Sequence, residues 1–233
     1  MSSIPRFFVA PGTVSGPRFL LPGELEHQVR RVLRILDGGE LILLEGDGSE
    51  IRCHLAGEWC EVLERRASAA EPRHRLTIWQ ALLKGDHLEQ VIQHATEVGV
   101  AAFRLVLTER CVARDLSQRR LERLRTIARE AAEQSERGVV PPVAAPVPLT
   151  QVAWSESVLL FERHDGAGLT RVSQAAPPVG LVVGPEGGFT RDEVRTAVAG
   201  GARLAGLGPR ILRSETVAVA AAAVVLAASG DFA

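Results

Sequence analysis

The sequence has only three cysteines, Cys53, Cys60 and Cys111, an odd number with no C-x-x-C spacing. That excludes a disulfide scaffold and a zinc ribbon, and it fits free thiols in a reducing compartment. No His/Cys cluster has metal-ligand spacing, so no metal is expected. Long hydrophobic runs are missing too. The longest, Val217 to Ala228, covers twelve residues, mostly Ala and Val. A membrane helix needs roughly 20, so this run reads as a buried helix. The opening MSSIPRFF lacks the basic-then-apolar order of a secretion signal, and a cytoplasmic location is expected. Charge of one sign is scarce as well. The net charge is −1, which taken alone argues against a nucleic-acid partner. Lys84 is the single lysine among 27 basic residues. Arginine suits bidentate phosphate contacts and stacking on bases, but GC-rich codon use gives the same composition.

What is present is globular. The 233 residues are 46% hydrophobic and 24% charged, enough for one or two domains at about 150 residues each. The first part reads as β-rich: Phe7-Phe8-Val9, Leu41 to Glu45, Ile51 to Leu55 and Cys60 to Leu63 are expected strands, with a hairpin turn at Asp47-Gly48. One short helix interrupts them over Glu24 to Leu33, with Val29, Val32 and Leu33 on one face. A small barrel or curled sheet fits. Residues 66–75 are polar and Ala-rich and read as a linker.

Strand–helix alternation follows. Leu76 to Leu83 is a strand, and Asp86 is positioned to cap a helix with Leu88, Val91, Ile92, Ala95 and Val98 at helical spacing, stopped by Gly99. Phe103 to Leu107 is a strand, Leu116 to Gln134 a charged helix, and the proline-rich Val139 to Pro148 a loop. Val158 to Phe161 and Leu181 to Val183 are continuous apolar strands, as expected in a sheet covered on both faces. Thr190 to Glu193 forms a capping box for a helix to Ala199, Leu204 to Leu207 is the last strand, and an Ala-rich helix starts near Ser214. The whole is an α/β domain behind a β domain.

Two segments carry the chemistry. In VVGPEGGFTRDE, Val182 to Glu193, a buried strand ends in a glycine-rich loop before a capped helix. Ligands of open α/β sheets bind at such strand ends, although any tight strand-to-helix turn looks similar. The loop is neither GxxxxGK[ST] nor GxGxxG, and Glu186 in its middle repels phosphate, so a neutral or cationic ligand fits better. The second segment, LGPRILRSET, Leu207 to Thr216, brings Arg210, Arg213 and Glu215 to another such loop. The histidines at 27, 54, 74, 87, 94 and 164 are scattered, and none stands in a recognisable triad.

Taken in order, RRVLRI (30–35), LLKGDHLEQVIQHATEVGV (82–100), TERC (108–111), EAAEQSERGVVP (130–141), VGPEGGFTRDE (183–193) and LGPRILRSETVA (207–218) make the chain resemble the bacterial small-subunit ribosomal RNA uracil-N3 methyltransferases, a branch of the SPOUT superfamily. The resemblance implies a PUA-like β-barrel RNA-binding domain over 1–72. It implies a methyltransferase domain over 73–233 with a parallel sheet and a trefoil knot. It also implies a homodimer. S-adenosylmethionine would be held by Phe161, Glu162, Gly184, Pro185, Glu186, Gly187, Gly188, Leu207, Gly208, Arg210, Ile211 and Leu212. Catalysis would fall to Arg213 and Glu215, and RNA binding to Arg31, Arg34, Lys84, Arg110 and Arg137. The sequence departs from the family pattern at Glu97-Val98-Gly99 and at Glu215-Thr216-Val217.

The chemistry so implied asks for removal of the uracil N3 proton, or stabilisation of the anion it leaves. Arg213 or Arg210 can steady charge on the uracil oxygens. Glu215 or Glu186 can take the proton, or can instead fix an arginine or the cofactor's amino group. Two other readings stand beside this one: a related enzyme methylating another RNA position such as a ribose 2′-hydroxyl, and a non-catalytic assembly factor. Paired cofactor loops argue against the latter.

Overall fold

Alternation along Ser49–Ala56 turns Ile51, Cys53 and Leu55 to one side, and all three are buried. That pattern seeds the first of two units into which the chain divides in this computed structural model, which describes residues 4–162 and 166–232. The first unit takes the chain up to Glu71 together with Ala132–Val140; the second takes Pro72–Ala131 and Pro141 onward.

In the first unit, strands β1 (Arg6–Phe8), β2 (Arg18–Leu20), β3 (Glu40–Leu44), β4 (Ser49–Ala56) and β5 (Trp59–Ala67) form one sheet in the order β1-β3-β4-β5-β2. β1 runs parallel to β3 and the other pairs are antiparallel. β5 continues to Ala67, into the stretch expected as linker, because its partner β4 begins at Ser49 opposite Ala67. One face is filled by Phe7, Phe19, Leu41, Leu43, Ile51, Cys53, Leu55 and Cys60, with Leu25 and Val29. Ala132 packs with Phe8, Ile42 and Leu44 in a second cluster.

The helix expected over 24–33 is split. A short helix α1 (Gly23–His27) runs into a π-helical turn over Gln28–Val32, closed by the Leu33 N–H on the Gln28 carbonyl at 2.9 Å. The extra residue in that turn shifts the helical face. Val29 is therefore fully buried, while Val32 and Leu33 are exposed.

The second unit is an α/β layer structure. Strands β6 (Thr77–Ala81), β7 (Ala102–Leu107), β8 (Val143–Pro148), β9 (Ser157–Leu160), β10 (Gly180–Val183) and β11 (Arg203–Ala205) form a parallel sheet in the order β11-β9-β10-β6-β7-β8. Every residue of β9 and β10 is buried, as a strand covered on both faces requires. Val139 to Pro148 is not all loop: its second half is β8. The prolines are tolerated because β8 is an edge strand, and its register with β7 shifts where Ala145 and Pro146 stand opposite Leu105.

Helices α2 (His87–Val98), α3 (Gln118–Gln134), α4 (Leu169–Ala175), α5 (Arg191–Ala199) and α6 (Ser214–Ala228) complete the element list. Gly99 ends α2 with φ 113°, the left-handed cap that favours glycine. Asp86 stands at the N-cap of α2 but makes no capping hydrogen bond. The Thr190–Glu193 capping box is formed in both directions. The apolar α6 packs on α2 and α4 and against β6 and β10, with Ala218, Ala221, Ala222, Val225 and Leu226 buried. No helix among the described residues is long and apolar enough to cross a membrane.

Candidate active site

Parallel strands bring all their carboxyl ends to one edge of the sheet. At that edge the chain leaves β9 through Phe161 and Glu162, β10 through Gly184 to Gly188, and β11 through Gly206 to Arg213. These three exits, with the first turns of α2 and α6, enclose a cavity of about 470 Å³, within the range of small-molecule sites. Leu160, Val183, Phe189, Ala205, Leu207, Ile211, Leu212 and Val217 give it an apolar wall. Its charged lining is Glu162, Glu186, Glu215, Arg210 and Arg213. With His87 neutral, the wall carries one net negative charge.

The glycine-rich loop is held from several sides. Ser214 is the first residue of α6, and its Oγ donates to the Gly184 carbonyl at 2.6 Å. The same Oγ accepts from Nε2 of Gln80 at 3.1 Å, and that fully buried amide of β6 also donates to the Ala81 carbonyl. Glu186 Oε1 accepts the Lys84 backbone N–H at 2.9 Å. Gly188 has φ 66°, and a Cβ there would lie 3.4 Å from Glu162 Oε1.

The TERC turn is the loop's third anchor. Thr108 and Cys111 are buried and in contact, with Oγ1 3.2 Å from Sγ. This turn presents Arg110, whose Nη1 donates to the carbonyls of Gly187 at 3.0 Å and Phe189 at 3.5 Å. The Glu109 N–H donates to Glu193 Oε1, and the other oxygen of that carboxylate accepts the Thr190 N–H. Arg114 in turn binds the carbonyls of Thr108 and Glu109. Segments 108–111 and 184–193, separate in sequence, thus form one hydrogen-bonded assembly.

Residues 70–226 match the RNA methyltransferase domain family. A Synechocystis relative named ribosomal RNA small subunit methyltransferase E is 37% identical over 94% of this chain and 76% of its own length. A Mycobacterium bovis protein of the same name is 36% identical, covering 96% of this chain and 90% of its own. The chain belongs to the ribosomal RNA small subunit methyltransferase E family. Among solved structures, a methyltransferase E from Neisseria gonorrhoeae, bound to S-adenosyl methionine, superposes with a TM-score of 0.85 at 28% identity, over 97% of this chain and 98% of that one. A Legionella pneumophila methyltransferase in complex with the same cofactor gives 0.81 at 28%, over 97% and 98%.

Phe161, Glu162, Gly184, Pro185, Glu186, Gly187, Gly188, Leu207, Gly208, Arg210, Ile211, Leu212, Arg213 and Glu215 all line the cavity. Arg31 and Arg34 are exposed in the first unit, where Arg34 takes a φ of 55° just after the π-helical turn. Lys84 is exposed beside the site it helps to hold through its backbone. Arg110 is exposed, but its guanidinium is committed to the loop carbonyls. Arg137 corrects the expectation of an RNA contact: it is 2% exposed and paired with Glu71 at 3.0 Å, so it is closed off from phosphate. His164 lies outside the described residues.

Sequence reasoning missed His87, Gly206 and Ser214 in the wall. The signal for His87 was available in principle. Gly85-Asp86 ends a strand exit and His87 opens a helix, the same strand–loop–helix grammar that marked the other two segments. Its Nδ1 lies 3.2 Å from Glu215 Oε1 across the cavity wall.

Proposed function

We propose that the chain methylates N3 of a specific uridine in small-subunit ribosomal RNA, using S-adenosylmethionine. The observation that carries this reading is the cavity itself, in a chain of the methyltransferase E family. Most of its wall is made by residues of the loops that leave the strands, it has no phosphate cradle, and its one net negative charge suits a sulfonium cation. Bound there, the cofactor supplies an electrophilic methyl group. The 184–188 and 207–212 loops, with Phe161 and Glu162, hold and orient it, and alignment is the main demand of such a displacement. Arg213, exposed at the start of α6, steadies negative charge on the uracil carbonyl oxygens. N3 lies on the Watson–Crick edge, so the target uridine is unpaired or flipped out.

The same reading makes 1–72 a PUA-like RNA-binding domain and 73–233 the knotted methyltransferase domain of a cytoplasmic homodimer. Arg31 and Arg34 supply phosphate contacts. Light scattering tests the dimer, and a monomer mass at micromolar concentration refutes it. The function is tested by nucleoside mass spectrometry of small-subunit RNA from a deletion strain, before and after adding this protein with the cofactor. N3-methyluridine should appear only after addition. A 2′-O-methyl nucleoside in its place, or no new nucleoside, overturns the assignment.

A further inference from the structure

The uracil N3–H is a weak acid, and an efficient base works near the operating pH, the role for which imidazole is used most often. Among the described residues the cavity has one imidazole, His87. Its Nδ1 is shut off from solvent, has no aligned hydrogen bond, and faces Glu215 Oε1 at 3.2 Å. The Glu215 side chain is 13% exposed and sits in the first turn of α6, where the helix end favours a carboxylate. A small rotation of the ring aligns Nδ1–H on that oxygen. This fixes the tautomer and leaves the Nε2 lone pair free, the relation by which a carboxylate orients a histidine base. The carboxylates of the wall are less suited. Glu186 is occupied by the Lys84 N–H, and Glu162 is exposed to water.

We propose that His87 accepts the N3 proton through Nε2, with Glu215 as its positioning residue; this rests on the methyl-transfer reading above. The N–H bond of N3 breaks as the bond from hydrogen to Nε2 forms. The electron pair stays on N3 and becomes the new N–C bond, while the departing sulfur keeps the pair of the broken C–S bond. The imidazolium then returns its proton to solvent.

The charged groups that share the cavity with the ring are Glu215 and Arg213 at the start of α6, Arg210 and Glu186 in the loops, and Glu162 after β9. On its own segment are Lys84, Asp86 and Glu89, the last paired with Arg120 of α3 at 3.0 Å. Protonating the ring removes the acceptor, so turnover falls toward acid pH.

The experiment compares the full-length protein with His87→Gln and Glu215→Gln on small subunits from a deletion strain. His87→Gln should lower kcat by about 10²–10⁴-fold, the usual contribution of a general base. It should lose the acidic limb of the pH profile and bind S-adenosylmethionine as before by calorimetry. Nitrogen-15 NMR of the unliganded protein, with the His87 signals assigned by their loss in His87→Gln, should show a neutral Nδ1–H tautomer that changes in Glu215→Gln. Full turnover with an intact acidic limb in His87→Gln overturns the proposal and leaves the methyltransferase assignment standing. So does a neutral Nε2–H tautomer. Absence of N3-methyluridine from the unsubstituted protein overturns both.

Discussion

Replacing Ser214 with alanine removes one oxygen atom from the joint between β6, the 184–188 loop and α6. That oxygen donates to the Gly184 carbonyl at 2.6 Å and accepts from Gln80 at 3.1 Å. Gln80 keeps its bond to the Ala81 carbonyl, but its Oε1 is already buried and unpaired, so it has no spare partner to turn to. Two hydrogen bonds at about 0.5–1.5 kcal/mol each, with a share of the 1–3 kcal/mol for a polar group left unpaired, give a loss of about 2–3 kcal/mol. At 233 residues this is a fall in Tm of about 5–10 °C. Cofactor binding should weaken as well, because Gly184 opens the loop that wraps the cavity. Thr216→Ala, on the exposed side of the same helical turn, is the control and should stay within about 0.5 kcal/mol. Thermal unfolding and calorimetry with S-adenosylmethionine read both effects. A Ser214→Ala protein with unchanged Tm and affinity would falsify the view that this joint holds the loop.

Gly188→Ala forces a Cβ into a φ of 66° and should cost about 1–2 kcal/mol, visible in Tm and in cofactor affinity; an unchanged protein means the loop relaxes freely. Arg110→Ala frees the Gly187 and Phe189 carbonyls and should weaken cofactor binding while α3 keeps its helicity by circular dichroism; equal affinity removes the turn from the site. Burial pushes the Cys53 thiol up to about 12, helped by neighbouring Cys60, and pushes Cys60 to about 11. Both values are raised above the ordinary thiol value of 9.0, so this stability is intact below pH 9.0 and is lost as pH climbs toward 11 and 12, at about 1.4 kcal/mol per pH unit for each thiol. Denaturant midpoints from pH 8 to 11 should show a shallower fall in a Cys53→Ala/Cys60→Ala protein, and an equal slope rules the thiols out. Arg213→Ala should lower kcat by about 10²–10³-fold, whereas Arg31→Ala with Arg34→Ala should raise KM increasingly with salt; full turnover in the first at saturating RNA makes Arg213 structural.

Much of this molecule is written in short stretches of chain. Continuous apolar runs at Val158–Leu160 and Leu181–Val183 announce strands buried on both faces, and both are. The capping box at Thr190–Glu193 and the stop at Gly99 are local by nature, since each depends on residues within one helical turn. The two glycine-bearing exits with Arg210, Arg213 and Glu215 were visible as loops between a strand and a helix, and they line one cavity. Pattern reading failed where the outcome depended on a distant neighbour. Pro146 and Pro148 look like loop until β7 supplies an edge to pair with. Val32 and Leu33 look like the buried face of a helix until one extra residue enters the turn before them. Arg137 reads as a surface cation until Glu71, 66 positions away, encloses it.

The sequence by itself determined most of the segments that become strands and helices and where ligand loops begin, because φ/ψ preference, side-chain period and capping act between residues a few positions apart. Only the tertiary structure decided that β6 lies beside β10, that the TERC turn holds the 187–193 segment, and that His87 meets Glu215. Those pairings join groups up to 128 positions apart in the chain. They exist because the parallel sheet gathers its strand ends at one edge, a condition that no local pattern contains.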